Sequence, residues 1–252
     1  MVGTGTLINV VAVLVGSGLG MLLGARLPER VRETIMHCLG LVVLAMGIGL
    51  SLESQNVLIV LGSLLLGGIL GEILRIEDRV NGLGRWFERI TSPRETADSS
   101  GSPENDPPKK ANWSDVSRFS RAFLSASLLF CVGPMEILGS IQDGLNGDFS
   151  LLAIKSVLDG FASLAFASTL GPGVLFAAFA VFLYQGSLTL GAGWASAVLS
   201  DPMIAEMTAT GGVLMLGLGL GLLELKRIRV GNLLPALLIA PLIVLLVNAI
   251  SR

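Results

Sequence analysis

Residues 57–74 read VLIVLGSLLLGGILGEIL, and Glu72 is the one charged residue in this run of eighteen. An α-helix needs about 20 mostly apolar residues to cross the hydrocarbon core of a bilayer. In lipid, every backbone N–H and C=O must find a partner within its own helix or within a closed barrel. A run of this length and composition therefore predicts a transmembrane helix.

The rest of the chain has the same character. Only 14% of its 252 residues are charged, and its mean hydropathy of +0.76 lies well outside the range of soluble globular domains. The net charge is −2, and fifteen of the seventeen Lys and Arg residues lie in three segments beside the apolar runs. This distribution excludes a nucleic-acid partner and leaves the lipid bilayer as the predicted partner.

Eight apolar runs predict about eight transmembrane helices, so the expected fold class is all-α, a polytopic membrane helix bundle. The second and seventh runs are short for a full crossing, and we expect them either to tilt little or to be extended by flanking residues. The runs are Thr6–Leu23, Cys38–Leu52, Val57–Leu74, Phe119–Ile141, Leu151–Thr169, Val174–Leu190, Gly211–Leu223 and Leu233–Ile250.

The basic residues indicate which loops face the cytoplasm, because short cytoplasmic loops retain Lys and Arg and external loops do not. Segments after the first, third and seventh runs are basic, whereas the opposite loops carry acidic residues only. With eight spans, this pattern places both termini outside the cytoplasm. The basic segments are Arg26–Arg32, Arg75–Arg121 and Lys226–Arg229, and the acidic residues opposite are Glu53, Asp143, Asp148, Asp201 and Glu206.

The segment between the third and fourth runs divides the chain. Residues 91–115 read TSPRETADSSGSPENDPPKKANWSD, a composition typical of a disordered cytoplasmic linker. Just before it, apolar residues recur at helical spacing from Ile76 to Ile90 among charged ones, which predicts a helix along the membrane surface. We therefore predict a first membrane unit over residues 1–90, the linker over 91–115, and a second membrane unit over 116–252.

A weak internal repeat relates the two ends of the chain. A shift of 172 residues pairs Gly40 with Gly212 and Gly47 with Gly219. Spans 1–3 would then match spans 6–8, and because five spans separate the copies, the repeat would be inverted across the bilayer, as in many transporters. Chance matches and close helix packing produce similar glycine spacing, so these explanations stay open.

Small residues recur four positions apart in the first and third spans. This spacing lets helix backbones approach closely, either within one chain or between two, so a homo-oligomer is an open alternative. Hinges for conformational change are the functional alternative to close packing. The residues are Gly16, Gly20 and Gly24 in the first span and Ser63, Gly67 and Gly71 in the third.

Ionisable residues inside the spans are the strongest functional signal. Glu136 follows Pro134 by two residues in the fourth run, and Lys155 and Asp159 lie one helical turn apart in the fifth, where they can pair. Such residues are costly in a bilayer and are functional by default, although neutralising each other to hold helices together is the alternative. Together with other polar residues they predict a central cavity, lined by Glu136, Lys155, Ser156, Asp159, Ser163 and Gln185, which Asn9 and Ser17 could complete.

Two further acidic residues, Asp143 and Asp148, bracket the external turn after the fourth run. They could attract a cation or cap the turn, and the sequence does not separate these roles. Metal ligands and nucleophiles are scarce, since His37 is the one histidine, and adjacent residues such as Lys155 and Ser156 point about 100° apart on a helix. We therefore expect that the protein binds no metal and no cofactor and that it is not an enzyme.

Three segments resemble a known family: GTLINVVAVLVGSGLGMLLG near the start, SLLLGGILGEILRIEDRV, and above all SLLFCVGPMEILGSIQDGLNGDFSLLAIKSVLDGFASLAFASTLGPGV, followed by YQGSLTLGA. They resemble the uncharacterised bacterial membrane proteins grouped as domain of unknown function 554, or DUF554, the YqgA and YdfK type. The resemblance implies a multi-pass protein of the bacterial cytoplasmic (inner) membrane. It implies no substrate and no site residues.

These observations lead to a functional hypothesis, a secondary transporter or exporter of a small ion or polar solute, with Lys155 and Asp159 as a gate or coupling pair. A non-transporting membrane scaffold, which recruits a partner through the linker, is the alternative from another class. A channel is the third.

Overall fold

The computed structural model describes residues 2–24, 26–80, 82, 113–226 and 228–250, and all regular structure in these ranges is helical. The expected all-α membrane bundle is confirmed. The helices are α1 (Thr4–Gly24), α2 (Glu29–Ser51), α3 (Val57–Leu74), α4 (Trp113–Cys131), α5 (Pro134–Asn146), α6 (Ser150–Leu170), α7 (Gly173–Leu190), α8 (Ala192–Val198), α9 (Asp201–Leu222) and α10 (Ala236–Ile250), with a 3₁₀ turn at Val230–Leu233.

Seven helical segments in the described ranges are long and apolar enough to cross a membrane, and there are eight if the bent pair α4–α5 forms one span. The two short runs are extended by flanking residues, as expected. In the case of α9, the helix begins at Asp201, so the placement of Asp201 and Glu206 in an external loop is wrong, and both residues belong to the first two turns of a membrane helix.

The predicted fourth span is broken in the middle. Its two halves, α4 and α5, meet at an angle of 59° at Val132 and Gly133. Gly133 has a φ of +146°, a backbone conformation that residues other than glycine rarely adopt. Pro134 follows and has no N–H to continue the helical hydrogen bonds, so a new helix begins there.

The broken helix still makes one crossing, because the continuous helix α7 runs beside both halves. At the start of α7, a Cβ on Gly173 would lie 2.5 Å from the carbonyl oxygen of Phe119 near the start of α4. At its other end, Thr189 packs against Gly144 near the end of α5. Both halves therefore run in the same direction as α7, which excludes a re-entrant hairpin and supports eight crossings.

The predicted close packing of small residues is confirmed. Three glycines of α1 lie directly on the backbone of α6, where an added Cβ would collide with the carbonyl oxygens of Gly160, Leu164 and Ser168; they are Gly16, Gly20 and Gly24. Gly67 and Gly71 of α3 pack in the same way against Ala236 and Asn232. These faces are thus occupied within the chain.

The three helices of the predicted first unit pack mainly on the second unit. In the described ranges, α1 packs most extensively on α6, α2 on α9 and α3 on α10, whereas α1, α2 and α3 make few contacts with one another. Residues 76–80 are helical, and Val80 is buried, but the remainder of the predicted surface helix lies outside the described residues. So does the predicted linker up to residue 112, and its last three residues begin α4.

The contact between α2 and α9 bears on the predicted repeat. A Cβ on Gly212 would lie 2.8 Å from the oxygen of Gly47, and a Cβ on Gly219 would lie 3.2 Å from the oxygen of Gly40. The shift of 172 residues pairs Gly40 with Gly212 and Gly47 with Gly219, so it converts the first contact into the second. A two-fold axis between inverted copies would relate two contacts in this way. The inverted repeat itself stays a prediction.

Candidate functional site

Polar side chains from four helices meet beside the break between α4 and α5. Asn9 comes from α1, Glu136 from α5, Lys155 and Asp159 from α6, and Gln185 from α7. Asn9, Glu136 and Gln185 are 0% exposed, Lys155 is 7% exposed and Asp159 is 5% exposed. The cluster is therefore almost completely removed from solvent.

The Lys155 ammonium group is the centre of the cluster. Its Nζ lies 2.7 Å from Oε2 of Glu136 and 2.5 Å from Oδ2 of Asp159, which confirms the predicted pair within α6. It also donates to the carbonyl oxygen of Phe130 at 2.7 Å. The ammonium group thus makes two hydrogen bonds, to Phe130 and Asp159, and a further ion pair with Glu136.

The bond to Phe130 follows from the sequence of the break. In an unbroken helix, the oxygen of Phe130 would accept from the N–H of the residue four positions later, which is Pro134 and has none. A buried carbonyl without a donor is costly, so a donor from another helix is needed. Lys155 supplies it, and α6 is in this way tied to the end of α4.

Asp159 has a second donor, whereas Glu136 does not. The side-chain amide of Asn9 donates to Oδ2 of Asp159 at 3.0 Å. Both carboxylate oxygens of Glu136, Oδ1 of Asn9 and both amide atoms of Gln185 are buried and have no hydrogen-bond partner. Oε2 of Glu136 takes part in the ion pair with Lys155, and Gln185 lies beside Glu136. The cluster therefore contains buried acceptors and one buried amide donor that its hydrogen bonds do not satisfy.

The ends of the two half-helices add partial charges to the cluster. The carbonyl end of α4 points at Lys155, and Glu136 lies in the first turn of α5, near free N–H groups. Both placements are electrostatically favourable. Half-helix ends near the bilayer midplane form ion and substrate sites in known transporter folds.

Two cavities reach the break from different sides. One, of about 530 Å³, is bordered by Lys155 and Asp159 together with Val132, Gly133 and apolar residues of α2. The other, of about 300 Å³, is bordered by Gly133 and by residues of α7, α9 and α10. Glu136 lies behind Lys155, fully buried.

Two of the predicted cavity residues do not join the cluster through their side chains. The hydroxyl of Ser156 donates to the oxygen of Leu152, and that of Ser163 donates to the oxygen of Gly160, both in their own helix. Ser163 also lies in the tight contact with Gly16 of α1. The hydroxyl groups of Ser156 and Ser163 therefore bond to the backbone of α6 instead of to the cluster.

The two acidic residues after the break in the fourth span cap helices. Asp143 is fully buried, and its Oδ2 accepts from the N–H of Gly5 at the start of α1, at 3.0 Å. Asp148 is exposed and accepts from the backbone N–H and the hydroxyl of Ser150 at the start of α6. These two hydrogen bonds hold the pKa of Asp148 below its ordinary value of 3.8.

Another buried carboxylate, that of Glu206 in α9, was not predicted as a structural residue. It accepts from the backbone N–H groups of Gln55 and Asn56 and from the hydroxyl of Ser54, each at 2.8 Å, just before α3. Its position inside α9 could be found only by extending the seventh run towards Asp201. Phe130, whose carbonyl binds Lys155, was also missed, but Pro134 four residues later is a signal that predicts a free carbonyl there.

Comparison with known proteins places the chain among membrane proteins of unknown function. The family model described as "Protein of unknown function (DUF554)" matches residues 4–245. The chain is 30% identical over 249 residues to the "Uncharacterized membrane protein YdfK" of Bacillus subtilis (strain 168), with 97% of each chain covered. It is 34% identical over 240 residues to the "Uncharacterized protein YqgA" of Escherichia coli (strain K12), with 94% of each covered. No solved structure matches.

Proposed function

Since this chain belongs to the DUF554 family of membrane proteins, we propose that it is a secondary transporter or exporter of a small ion or polar solute. We place it in the bacterial cytoplasmic membrane, with both termini outside the cytoplasm. The basic residues that follow the first, third and seventh spans support this orientation.

One observation carries the proposal: a buried cluster of three ionisable side chains lies at the break of a discontinuous helix. Removing charges from water costs several kcal/mol per ion, and simple helix packing does not need them. Broken helices expose backbone groups that also require partners, and in membrane proteins they occur where a site or a cavity uses those groups. Lys155 and Asp159 border such a cavity.

The scaffold alternative has support of its own, because the ammonium group of Lys155 makes two hydrogen bonds and two ion pairs within the protein. A cluster that only holds helices together would look the same around this residue. It would not need the unpartnered atoms of Glu136, Asn9 and Gln185, nor the cavity beside Asp159. We therefore favour transport over the scaffold.

The experiment is a flux measurement on purified protein in liposomes, with a panel of labelled monovalent cations, divalent cations, amino acids and polyamines. We expect saturable uptake of at least one of them by the wild-type protein, and uptake at least tenfold slower with Asp159→Asn. Ser168→Ala is the matched control, since its buried hydroxyl bonds only the backbone of α6. Uptake that rises linearly without saturation would indicate a channel.

The scaffold makes the opposite prediction. Deletion of residues 91–112, which leaves α4 complete, should leave uptake intact in a transporter and abolish the cellular role of a scaffold. Asp159→Asn, in contrast, should be harmless to a scaffold that still folds. No uptake above that of empty liposomes, combined with a phenotype of the deletion alone, would refute transport.

A further inference from the structure

We infer that the cluster of Glu136, Lys155 and Asp159 binds one exchangeable proton, and that Glu136 holds it when the cluster is neutral. The role of this proton as the coupling ion rests on the proposed transport function. The binding site itself rests only on the geometry of the cluster.

The first argument is the charge of the cluster. Two carboxylates face one ammonium group, so the fully ionised cluster carries a net charge of −1 within an environment that is at most 7% exposed. An uncompensated buried charge is strongly unfavourable, and a carboxyl group in this position neutralises instead. One proton brings the net charge to zero.

Among the described residues near the cluster, no other ionisable group offers a compensating positive charge, and Glu53, which borders the same cavity as Asp159, is acidic. Cys131 of α4 and Tyr184 of α7 are within electrostatic range, and neither becomes positive. The described parts of α1 and α8, which also pack on α5, contain no ionisable side chain. Glu206 of α9 directs both oxygens to residues 54–56.

The second argument assigns the proton to Glu136. Asp159 receives hydrogen bonds from Lys155 and Asn9, and both stabilise its ionised form. Glu136 forms an ion pair with Lys155 and lies beside Gln185, whose amide has no hydrogen-bond partner. Although the start of α5 favours the charge of Glu136, a second direct hydrogen bond at Asp159 is the larger effect. The amide of Gln185 can serve either form of Glu136, as an acceptor for its proton or as a donor to its carboxylate.

The arrangement also gives the proton a route. Lys155 lies between the two carboxyl groups, so its Nζ can pass a proton to Asp159 while it accepts the proton of Glu136. The ammonium group is unchanged, Glu136 becomes ionised and Asp159 becomes neutral. Asp159 borders the 530 Å³ cavity, from which the proton can leave.

Infrared spectroscopy of the full-length protein in lipid nanodiscs tests the proton site directly. At pH 7 the wild-type protein should show the C=O stretch of a buried protonated carboxyl group, and this band should shift in deuterated water. The band should be lost in Glu136→Gln and retained in Asp148→Asn, which removes an exposed carboxylate. Gln185→Leu should keep the band and move it to the frequency of a carboxyl group with fewer hydrogen bonds.

Three results would overturn the inference. They are the absence of the band in the wild-type protein, its persistence in Glu136→Gln, and its loss when sodium chloride replaces choline chloride at constant pH. The last result would identify a monovalent metal ion instead of a proton as the compensating charge.

The infrared band tests the proton site, and the solute flux tests the proposed transport function, so the two can fail separately. A band that depends on Glu136 in a protein without solute uptake would leave the proton site standing and refute transport. Solute uptake in a protein without the band would support transport and refute the proton site. If both are correct, an opposing pH gradient should change the uptake rate of the wild-type protein and not that of Glu136→Gln.

Discussion

Replacement of Lys155 by methionine provides the sharpest test of the site's energetics. Methionine has a similar length and fits an apolar contact, but it has no positive charge and no donor. Two buried carboxyl groups and the carbonyl oxygen of Phe130 would lose their shared partner. The substitution therefore removes one member of a buried ionic cluster and leaves the others behind.

The expected loss of stability is about 3–5 kcal/mol, the usual cost of removing one partner from a buried ion pair. The unpaired carbonyl alone would cost about 1–3 kcal/mol, and the two contributions are not additive because Lys155 serves all three acceptors. A surface ion pair would cost at most about 1 kcal/mol. The stability loss expected for a buried ionic cluster is therefore clearly larger than that expected for a surface ion pair.

The assay is equilibrium unfolding in mixed micelles with increasing sodium dodecyl sulfate, followed by circular dichroism. Ser168→Ala should change the free energy of unfolding by about 1 kcal/mol or less, since it loses one hydrogen bond within a helix. The triple variant Lys155→Met, Glu136→Gln, Asp159→Asn should regain most of the stability, because no charge is left. Lys155→Met within about 1 kcal/mol of the wild-type value would refute our account of the cluster.

Three other predictions follow from contacts elsewhere. Gly20→Ala should lower the free energy of unfolding by about 1–3 kcal/mol, because the added methyl group forces α1 away from α6. Gly18 has open space beside it, so Gly18→Ala should change this free energy little. Unfolding in mixed micelles measures both variants. Glu206→Ala should cost about 1–3 kcal/mol and increase amide hydrogen exchange at the start of α3, because three donors lose their acceptor; unchanged exchange would contradict this role. The pKa of Asp148 is lowered in the folded protein, so its carboxylate is ionised and caps α6 above pH 3.8. The stabilisation by this cap is lost as the pH falls from 3.8 through the lower pKa of the folded state. The thermal midpoints of wild type and Asp148→Asn should therefore differ by a constant amount from pH 8 to about pH 5 and converge below about pH 4.

The helical membrane segments could be read from the sequence because their causes are local. The length of an apolar run and the exclusion of charge are properties of single segments. The pairing of Lys155 with Asp159 was also predictable, since four residues on a helix form one turn and their side chains meet. For the same reason, the small residues of α1 and α3 predicted close contacts.

Two features depended on which helices become neighbours, and no local pattern contains that information. At the break beside Gly133, α6 brings Lys155 to the carbonyl that Pro134 leaves free. Asn9 and Asp159 are 150 residues apart in the chain, and they meet because the glycines of α1 allow it to lie on α6.

The remaining differences have the same origin. Glu206 lies within a membrane helix because its carboxylate binds the donors at the start of α3, whereas an acidic residue without such partners would favour the water outside. The sequence by itself determined which helices are long and apolar enough to cross the membrane and which residues in them are costly to bury. Only the tertiary structure decided what compensates that cost, because hydrogen bonds and ion pairs between helices depend on packing between distant segments of the chain.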